Sequence, residues 1–145
     1  MKITKPLSCT FIALCWLIFS SDVYAQKKKK DKELDGKVFL VELSEEGGKV
    51  GKSISEELTF KSDKFKAKVM AEKNKFDPAA YTVSVDSSSG ERIISFEAES
   101  KNDGGELLNW KGTINNEDAE GKAVWTKKGK VKKEYSFSGN LKIKK

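Results

Sequence analysis

A period-two alternation of apolar and polar residues runs through most of the chain after Gly36, and it restricts the fold more than any other feature. Between Ile93 and Glu99, for example, Ile94, Phe96 and Ala98 alternate with serine and glutamate. Such alternation is typical of a strand with one buried and one solvated face. An amphipathic helix would instead repeat its apolar residues every three or four positions. The sequence therefore predicts an all-β domain.

Eight segments carry this pattern and are predicted as strands. They are Lys37–Leu43, Ile54–Lys61, Phe65–Glu72, Tyr81–Asp86, Arg92–Glu99, Glu106–Ile114, Lys122–Lys127 and Val131–Ile143. Most connections are short and rich in Gly, Ser, Asn and Asp, which favours hairpins between consecutive strands. Closing such a meander removes its exposed edges. We predict an eight-stranded antiparallel up-and-down barrel, with a two-sheet β-sandwich as the alternative. Lys73–Ala80 is the one stretch predicted to be irregular, with a short helical turn at its end.

The start of the chain has the pattern of a secretory signal. A short apolar run over 11–19 follows two lysines and precedes Val23-Tyr24-Ala25, which fits the small-residue rule of signal peptidase. The run is shorter than the roughly 20 apolar residues that a spanning helix needs. We predict a signal peptide over 1–25 that is cleaved between Ala25 and Gln26, and a secreted or periplasmic location.

The residue types that most often perform catalysis are scarce. The sequence has no histidine, which is the commonest acid–base group and metal ligand. Its two cysteines, Cys9 and Cys15, lie in the predicted signal peptide, so a disulfide-free mature chain is expected. Neither the nucleophile motif Gly-x-Ser-x-Gly nor a phosphate-binding glycine loop occurs. We predict a protein that is not an enzyme and has no catalytic residue, metal or cofactor.

Basic charge is concentrated just after the predicted cleavage site. The segment 26–35 is predicted to be a disordered arm, followed by a single barrel domain over 36–145. From Glu33 onward, 21 Lys and Arg face 20 Asp and Glu, since seven of the 28 basic residues precede it. The arm is either an electrostatic tether to an anionic surface or a solvated spacer. Its lysines are Lys27, Lys28, Lys29, Lys30 and Lys32.

Large aromatic side chains alternate with small residues on the predicted inner face of the barrel. An eight-stranded barrel is wide enough either to be filled by such side chains or to hold one small ligand. They are therefore either core or the lining of an apolar ligand site, with the two tyrosine hydroxyls as orienting groups. The candidate lining residues are Trp110, Trp125, Tyr135, Phe137, Phe96 and Tyr81.

Two hairpin-forming stretches carry a resemblance. Trp110-Lys111-Gly112-Thr113-Ile114 and Gly121-Lys122-Ala123-Val124-Trp125 look like hairpins of small bacterial secreted proteins. At the level of architecture, Gly36–Lys145 resembles the calycins, which include lipocalin-like and avidin-like barrels. Gly36-Lys37-Val38-Phe39 lacks the tryptophan of the first lipocalin strand, so no binding residue is transferred. The resemblance implies a barrel fold and no activity.

Two functions follow as expectations. The first is a non-catalytic, lipocalin-like carrier of a small hydrophobic ligand. The alternative is an envelope module that binds an anionic surface through its arm and its basic strand faces. Neither a helix-turn-helix pattern nor zinc ligands are present, so no sequence-specific nucleic-acid partner is expected. We expect a monomer. The basic strand-face residues are Lys66, Lys68, Lys132 and Lys142.

Overall fold

The computed structural model describes residues 33–50 and 52–145. The predicted signal peptide and the arm lysines lie outside these residues. Eight strands and one helix follow one another along the chain. They are β1 (Val38–Glu45), β2 (Ser53–Lys61), β3 (Lys64–Ala67), α1 (Lys68–Asn74), β4 (Ala79–Asp86), β5 (Ile93–Lys101), β6 (Leu107–Asn115), β7 (Asp118–Lys127) and β8 (Lys130–Leu141).

The strands form one closed barrel in which each pairs with its neighbours in the sequence. Every pair is antiparallel, and β1 closes the barrel because Phe39 is opposite Leu58 on β2 and opposite Leu141 on β8. The amide of Lys142 donates to the carbonyl of Val38 at 2.8 Å. This confirms the predicted up-and-down barrel rather than the sandwich, and it places the C-terminal end of β8 beside the start of β1.

The predicted third strand is wrong beyond Ala67, where α1 begins. β3 pairs with β2 through Leu58 opposite Ala67, so the next inward residue of β2 is Glu56. Its carboxylate accepts hydrogen bonds from the amides of Val69 at 2.7 Å and Met70 at 3.0 Å. Amides in the first turn of a helix have no partner within the helix, and the methyl side chain of the cap residue Ala67 cannot accept hydrogen bonds from them. The buried Glu56 carboxylate on β2 thus caps the start of α1, and the chain after Ala67 does not continue to pair with β2.

Other predicted element boundaries also move. β4 begins at Ala79, so no helical turn forms there. Lys75 ends α1 in the left-handed conformation, with φ of 61°. β7 begins at Asp118 instead of Lys122, and the connection to β6 shrinks to a two-residue turn. The longer strands extend the barrel wall beyond the predicted segments.

Two apolar residues within the predicted strands are exposed instead of buried. Val85 is 44% exposed and Ile143 is 71% exposed. β3 pairs with β4 only at Ala79 and Ala80, so most of β4 lacks a neighbour on that side. Ile143 follows the last residue of β8. Near the start of β1, Leu34 is fully buried and joins the core.

Candidate functional site

Four of the six predicted lining residues belong to one network of packed rings. Phe60 lies at its centre, with ring centroids 5.0 Å from both Tyr81 and Phe96. Phe96 lies 6.4 Å from Phe137, which is 5.6 Å from Trp110. These separations fall in the range of favourable aromatic pairs. The aromatic side chains therefore contact one another across the barrel interior.

A glycine shows how closely these rings approach the wall. A Cβ atom on Gly112 would lie 2.6 Å from Cε1 of Phe96 and 2.8 Å from Cζ of Phe137. Neither distance leaves room for a methyl group, so the two rings pack directly on the backbone of β6. Trp110 is fully buried, and its indole Nε1 has no hydrogen-bond partner among the described residues. Burying this donor without a partner has a free-energy cost that close packing offsets.

The other two predicted lining residues are buried in the same core, outside the ring contacts around Phe60. The Trp125 ring packs edge-on against Phe76 at 5.1 Å, next to the segment that follows α1. Tyr135 is 3% exposed and lies opposite Glu45 in the barrel register. Burial raises the pKa of the Tyr135 hydroxyl, and the nearby Lys133 ammonium partly counteracts this. All six residues thus belong to or pack against one buried core, four of them through direct ring contacts.

Glu106 gathers hydrogen-bond donors from three parts of the chain. Its Oε2 accepts from Trp125 Nε1 at 2.8 Å and from Asn102 Nδ2 at 3.2 Å. Its Oε1 lies 3.2 Å from Lys127 Nζ and 3.3 Å from Lys132 Nζ. The residue is 7% exposed. Burial raises its pKa, but these hydrogen bonds outweigh that effect and bring the pKa to about 2.

A β-bulge aims one of these lysines at the carboxylate. In β7 and β8, Trp125 is opposite Lys133, while the next residue, Thr126, is opposite Val131. Lys132 is therefore the extra residue, and bulges commonly redirect side chains in this way. Its ammonium lies 4.3 Å from the centroid of the Trp125 ring, a cation–π contact. The bulge thus brings Lys132 to Glu106 and Trp125 together.

Charge is distributed unevenly between the two ends of the barrel. One end, here called the helix end, contains α1. It comprises α1 and the residues that follow it (68–77), the turn 101–106, the loop residues 45–50 and 52, and the segment 127–134. It carries 11 lysines and seven Asp and Glu residues, a formal excess of +4. The turn end comprises 33–37, 61–64, 86–92, 115–118 and 142–145. It has seven basic and seven acidic residues and is neutral.

The β7–β8 hairpin supplies the densest positive charge at the helix end. Five of the seven residues from Lys127 to Lys133 are lysines. Lys128 and Lys130 are exposed and form no ion pair with any described residue. Val131 lies between lysines and is 58% exposed. This tip is a cationic surface with an apolar residue at its centre.

The predicted strand-face lysines do not form one surface. Lys66 and Lys68 are exposed, whereas Lys132 is drawn to Glu106. Lys142 Nζ lies 3.0 Å from Glu57 Oε2 on the barrel wall. The groove beside Glu57 has a volume of about 950 Å³ and is lined by six carboxylates and one lysine. The wall is therefore locally acidic.

The arrangement of acidic residues does not provide a metal centre within the described residues. No group of three or more His, Cys, Asp or Glu side chains there has a geometry that could hold a metal ion. Among the same residues, no helix has the length and apolar character needed to cross a membrane.

No family model matches the chain, and no significant match was found among curated proteins or solved structures. The closed eight-stranded antiparallel barrel is compatible with a calycin-like architecture. Function must therefore be inferred from the surface and interior of this chain alone.

Sequence reasoning missed the two buried glutamates. Glu56 interrupts the apolar face of Ile54, Leu58 and Phe60, and that interruption was a signal of a buried carboxylate. Glu106 gave a weaker signal, because a glutamate that follows a polar turn is normally expected to be exposed to solvent. Only the later tryptophan, with an indole N–H that needs an acceptor when buried, could have indicated it.

Proposed function

We propose that the protein is a non-catalytic module that binds an anionic envelope surface through its lysines. The observation that carries this proposal is the formal excess of +4 at the helix end against neutrality at the turn end. A one-sided charge distribution both attracts and orients a protein toward a surface of opposite charge.

The Glu106 network supports this proposal by preorganising part of the charge. Lys127 and Lys132 are held on one buried carboxylate, so the hairpin that carries them keeps its shape when it meets a partner. Lys128 and Lys130 remain available at the tip. Preorganised charges lose less conformational entropy on binding than free side chains do.

The predicted arm would act separately from the helix end. Its lysines precede Glu33, and the segment 33–37 lies at the turn end, where Gly36 N donates to Phe60 O at 2.7 Å. The arm therefore joins the domain on the side opposite the cationic hairpin. In this proposal it is a second electrostatic contact, and its contribution can be measured independently.

The carrier function has less support than the surface function. Four of the candidate lining residues contact one another through the ring network, and the other two are packed into the same buried core. Native mass spectrometry of the secreted protein tests the carrier directly. A mass excess that is lost on denaturation would favour a calycin-like carrier over the surface module.

Vesicle co-sedimentation tests the proposed function. The chain from Gln26 should bind vesicles that contain phosphatidylglycerol at low ionic strength, and it should not bind pure phosphatidylcholine vesicles. Binding should weaken steeply as salt rises, because added ions screen exposed charges. Absence of binding at low salt, or binding that salt does not change, would contradict the proposal.

Two sets of variants separate the arm from the barrel. Replacing the five arm lysines by glutamine should leave part of the binding, which the helix end supplies. Replacing Lys128 and Lys130 by glutamine should remove much of that remainder. If the arm variant alone abolished binding, the helix end would not be the contact surface.

A further inference from the structure

We propose that the tip of the β7–β8 hairpin is the part of the protein that enters an anionic lipid bilayer, with Val131 in the interfacial layer. This inference rests on the proposed function and specifies its partner and orientation. It is carried by the placement of one exposed apolar residue among lysines at the cationic end of the barrel.

The geometry of the hairpin makes its tip accessible. β8 starts at Lys130, and its first residues extend past the last β1 partner, which is Glu45 opposite Tyr135. The amide of Glu46 then donates to the carbonyl of Glu134 at 2.8 Å, which supports the base of the extension. Beyond this point, β7 is the one described strand that pairs with β8. The tip therefore projects from the barrel as a two-stranded extension whose base is held by the hydrogen bond to Glu134.

The tip keeps features that are unfavourable for the isolated protein. Lys127 and Lys130 are opposite each other in the register, and like charges at such positions destabilise a strand pair. Lys128 has a φ of 50°, a left-handed conformation that is costly for a side chain with a Cβ. The Glu106 carboxylate, 3.2 Å from Lys127, offsets part of this repulsion, and an anionic surface would offset more of it. These features are consistent with a tip that is shaped for binding.

A second exposed apolar residue lies at the same end. Val50, in the loop between β1 and β2, is fully exposed, and Lys49 and Lys52 flank its segment. Both exposed valines at the helix end thus have lysine neighbours. Apolar residues that enter the interface and lysines that contact anionic headgroups are the usual components of peripheral membrane binding.

The same features favour a bilayer over single-stranded nucleic acid. Nucleic-acid surfaces combine basic residues with exposed aromatic rings on which bases stack. Trp125 is the aromatic residue nearest the hairpin tip, and it is 5% exposed beneath Lys132 and against Phe76. The exposed apolar group of the tip is aliphatic. We therefore assign a lipid partner.

A single fluorescent label tests this inference. The chain from Gln26 has no cysteine, so Val131→Cys introduces a unique site for the environment-sensitive dye NBD. We expect a blue shift and stronger emission with phosphatidylglycerol vesicles and no change with phosphatidylcholine vesicles. Val85→Cys is the matched control, because Val85 is also an exposed strand valine but lies near the turn end. Its label should not respond.

Charge variants test the orientation. Lys128→Gln with Lys130→Gln should weaken vesicle affinity roughly thirtyfold, because each lysine close to an anionic membrane strengthens binding by roughly fivefold. Lys144→Gln with Lys145→Gln, at the turn end, should have a much smaller effect. A soluble polyanion added without vesicles should not change the Val131 label.

Each outcome supports or overturns a defined statement. Co-sedimentation without a response at Val131, or with a response at Val85, overturns the inference but leaves the proposed function standing. Loss of co-sedimentation for the unaltered chain overturns both. A response of the Val131 label to the polyanion alone overturns the lipid assignment.

Discussion

The indole Nε1 of Trp125 donates a hydrogen bond to Oε2 of Glu106 at 2.8 Å. The other carboxylate oxygen of Glu106 holds Lys127 and Lys132, so one buried tryptophan is linked through this carboxylate to the cationic hairpin. Trp125 is therefore a structural support of the basic surface. Trp125, predicted to line a ligand site, thus has this hydrogen bond and its packing on Phe76 in place of a contact with the ring network around Phe60.

Replacing Glu106 by glutamine should destabilise the protein at neutral pH, because the lysines lose their counter-charge. The pKa of Glu106 is lowered from 4.5 to about 2 in the folded protein. Its contribution to stability is thus complete above pH 4.5 and is lost as the pH falls through about 2. Urea unfolding of both proteins from pH 7 to pH 2 should show their stabilities converging. Glu99→Gln, on the exposed wall, is the control, and a constant difference would contradict the assignment.

Glu56 should have the opposite pH dependence. Burial raises its pKa above 4.5, although its backbone hydrogen bonds partly counteract this effect. Its contribution to stability is therefore largest below pH 4.5 and decreases as the pH rises through the folded-state value. Glu56→Ala should cost roughly 1–3 kcal/mol, because the amides of Val69 and Met70 lose their acceptor. Denaturant unfolding at pH 5 and pH 8 should show the larger cost at pH 5.

Gly139 should not tolerate even a methyl group. A Cβ there would lie 1.9 Å from the carbonyl oxygen of Leu40 and 2.5 Å from Cα of Val41. Because both atoms belong to the backbone of β1, Gly139→Ala should cost roughly 1–3 kcal/mol, toward the upper end. In the matched control Gly104→Ala, the nearest atom would be at 3.4 Å, an ordinary contact. Equal denaturation midpoints for the two variants would show that β1 and β8 are less closely apposed.

Lys75 should be improved by glycine. It ends α1 with φ of 61°, a conformation that glycine adopts without a steric penalty. Lys75→Gly is expected to stabilise the protein by about 0.5–1 kcal/mol after the entropy of the unfolded chain is included. Lys73→Gly, inside the same helix, should instead destabilise it by up to about 1 kcal/mol. Thermal unfolding of both variants should give melting-temperature shifts of opposite sign.

Lys128 should show a conflict between stability and binding. It and Gly129 have φ of 50° and 74°, the positive values of a type I′ turn, for which Asn-Gly is strongly preferred. Lys128→Asn should therefore raise the denaturation midpoint while weakening vesicle binding. Lys128→Gln, which keeps the strained conformation, should weaken binding without the gain in stability. If Lys128→Asn retained full vesicle affinity, the charge of Lys128 would have no role at the surface.

The strand pattern was predictable because burial follows the period of the backbone. Ile94, Phe96 and Ala98 face the core as the alternation requires. The third strand failed because the alternation of Phe65, Ala67, Val69 and Ala71 continues past the point where pairing is possible. Local pattern carries no information on the residue opposite, and there the partner is Glu56. Only the pairing register of β2 and β3 shows that the Glu56 carboxylate lies opposite the continuation of the predicted third strand.

The candidate site was less predictable because it depends on contacts between distant segments. Trp125 was correctly predicted to face inward. Its hydrogen bond, however, joins β7 to Glu106, the residue just before β6, and the alternation within each strand does not indicate this contact. The bulge at Lys132 also leaves no clear sequence signal. The excess charge of the helix end emerges only when the turns are sorted by the end of the barrel to which they belong.

The closure between β1 and β8 has a consequence for the order of folding. Phe39 meets Leu141 only after nearly all of the described chain has been made, so this seam is the least local pairing in the molecule. Contacts of such high sequence separation carry the largest loop-closure entropy and slow folding. A chain that emerges from a ribosome or a translocation channel N-terminus first would hold β1 with one unpaired edge until its last strand arrives. The seam thus makes completion of the chain the condition for completion of the barrel.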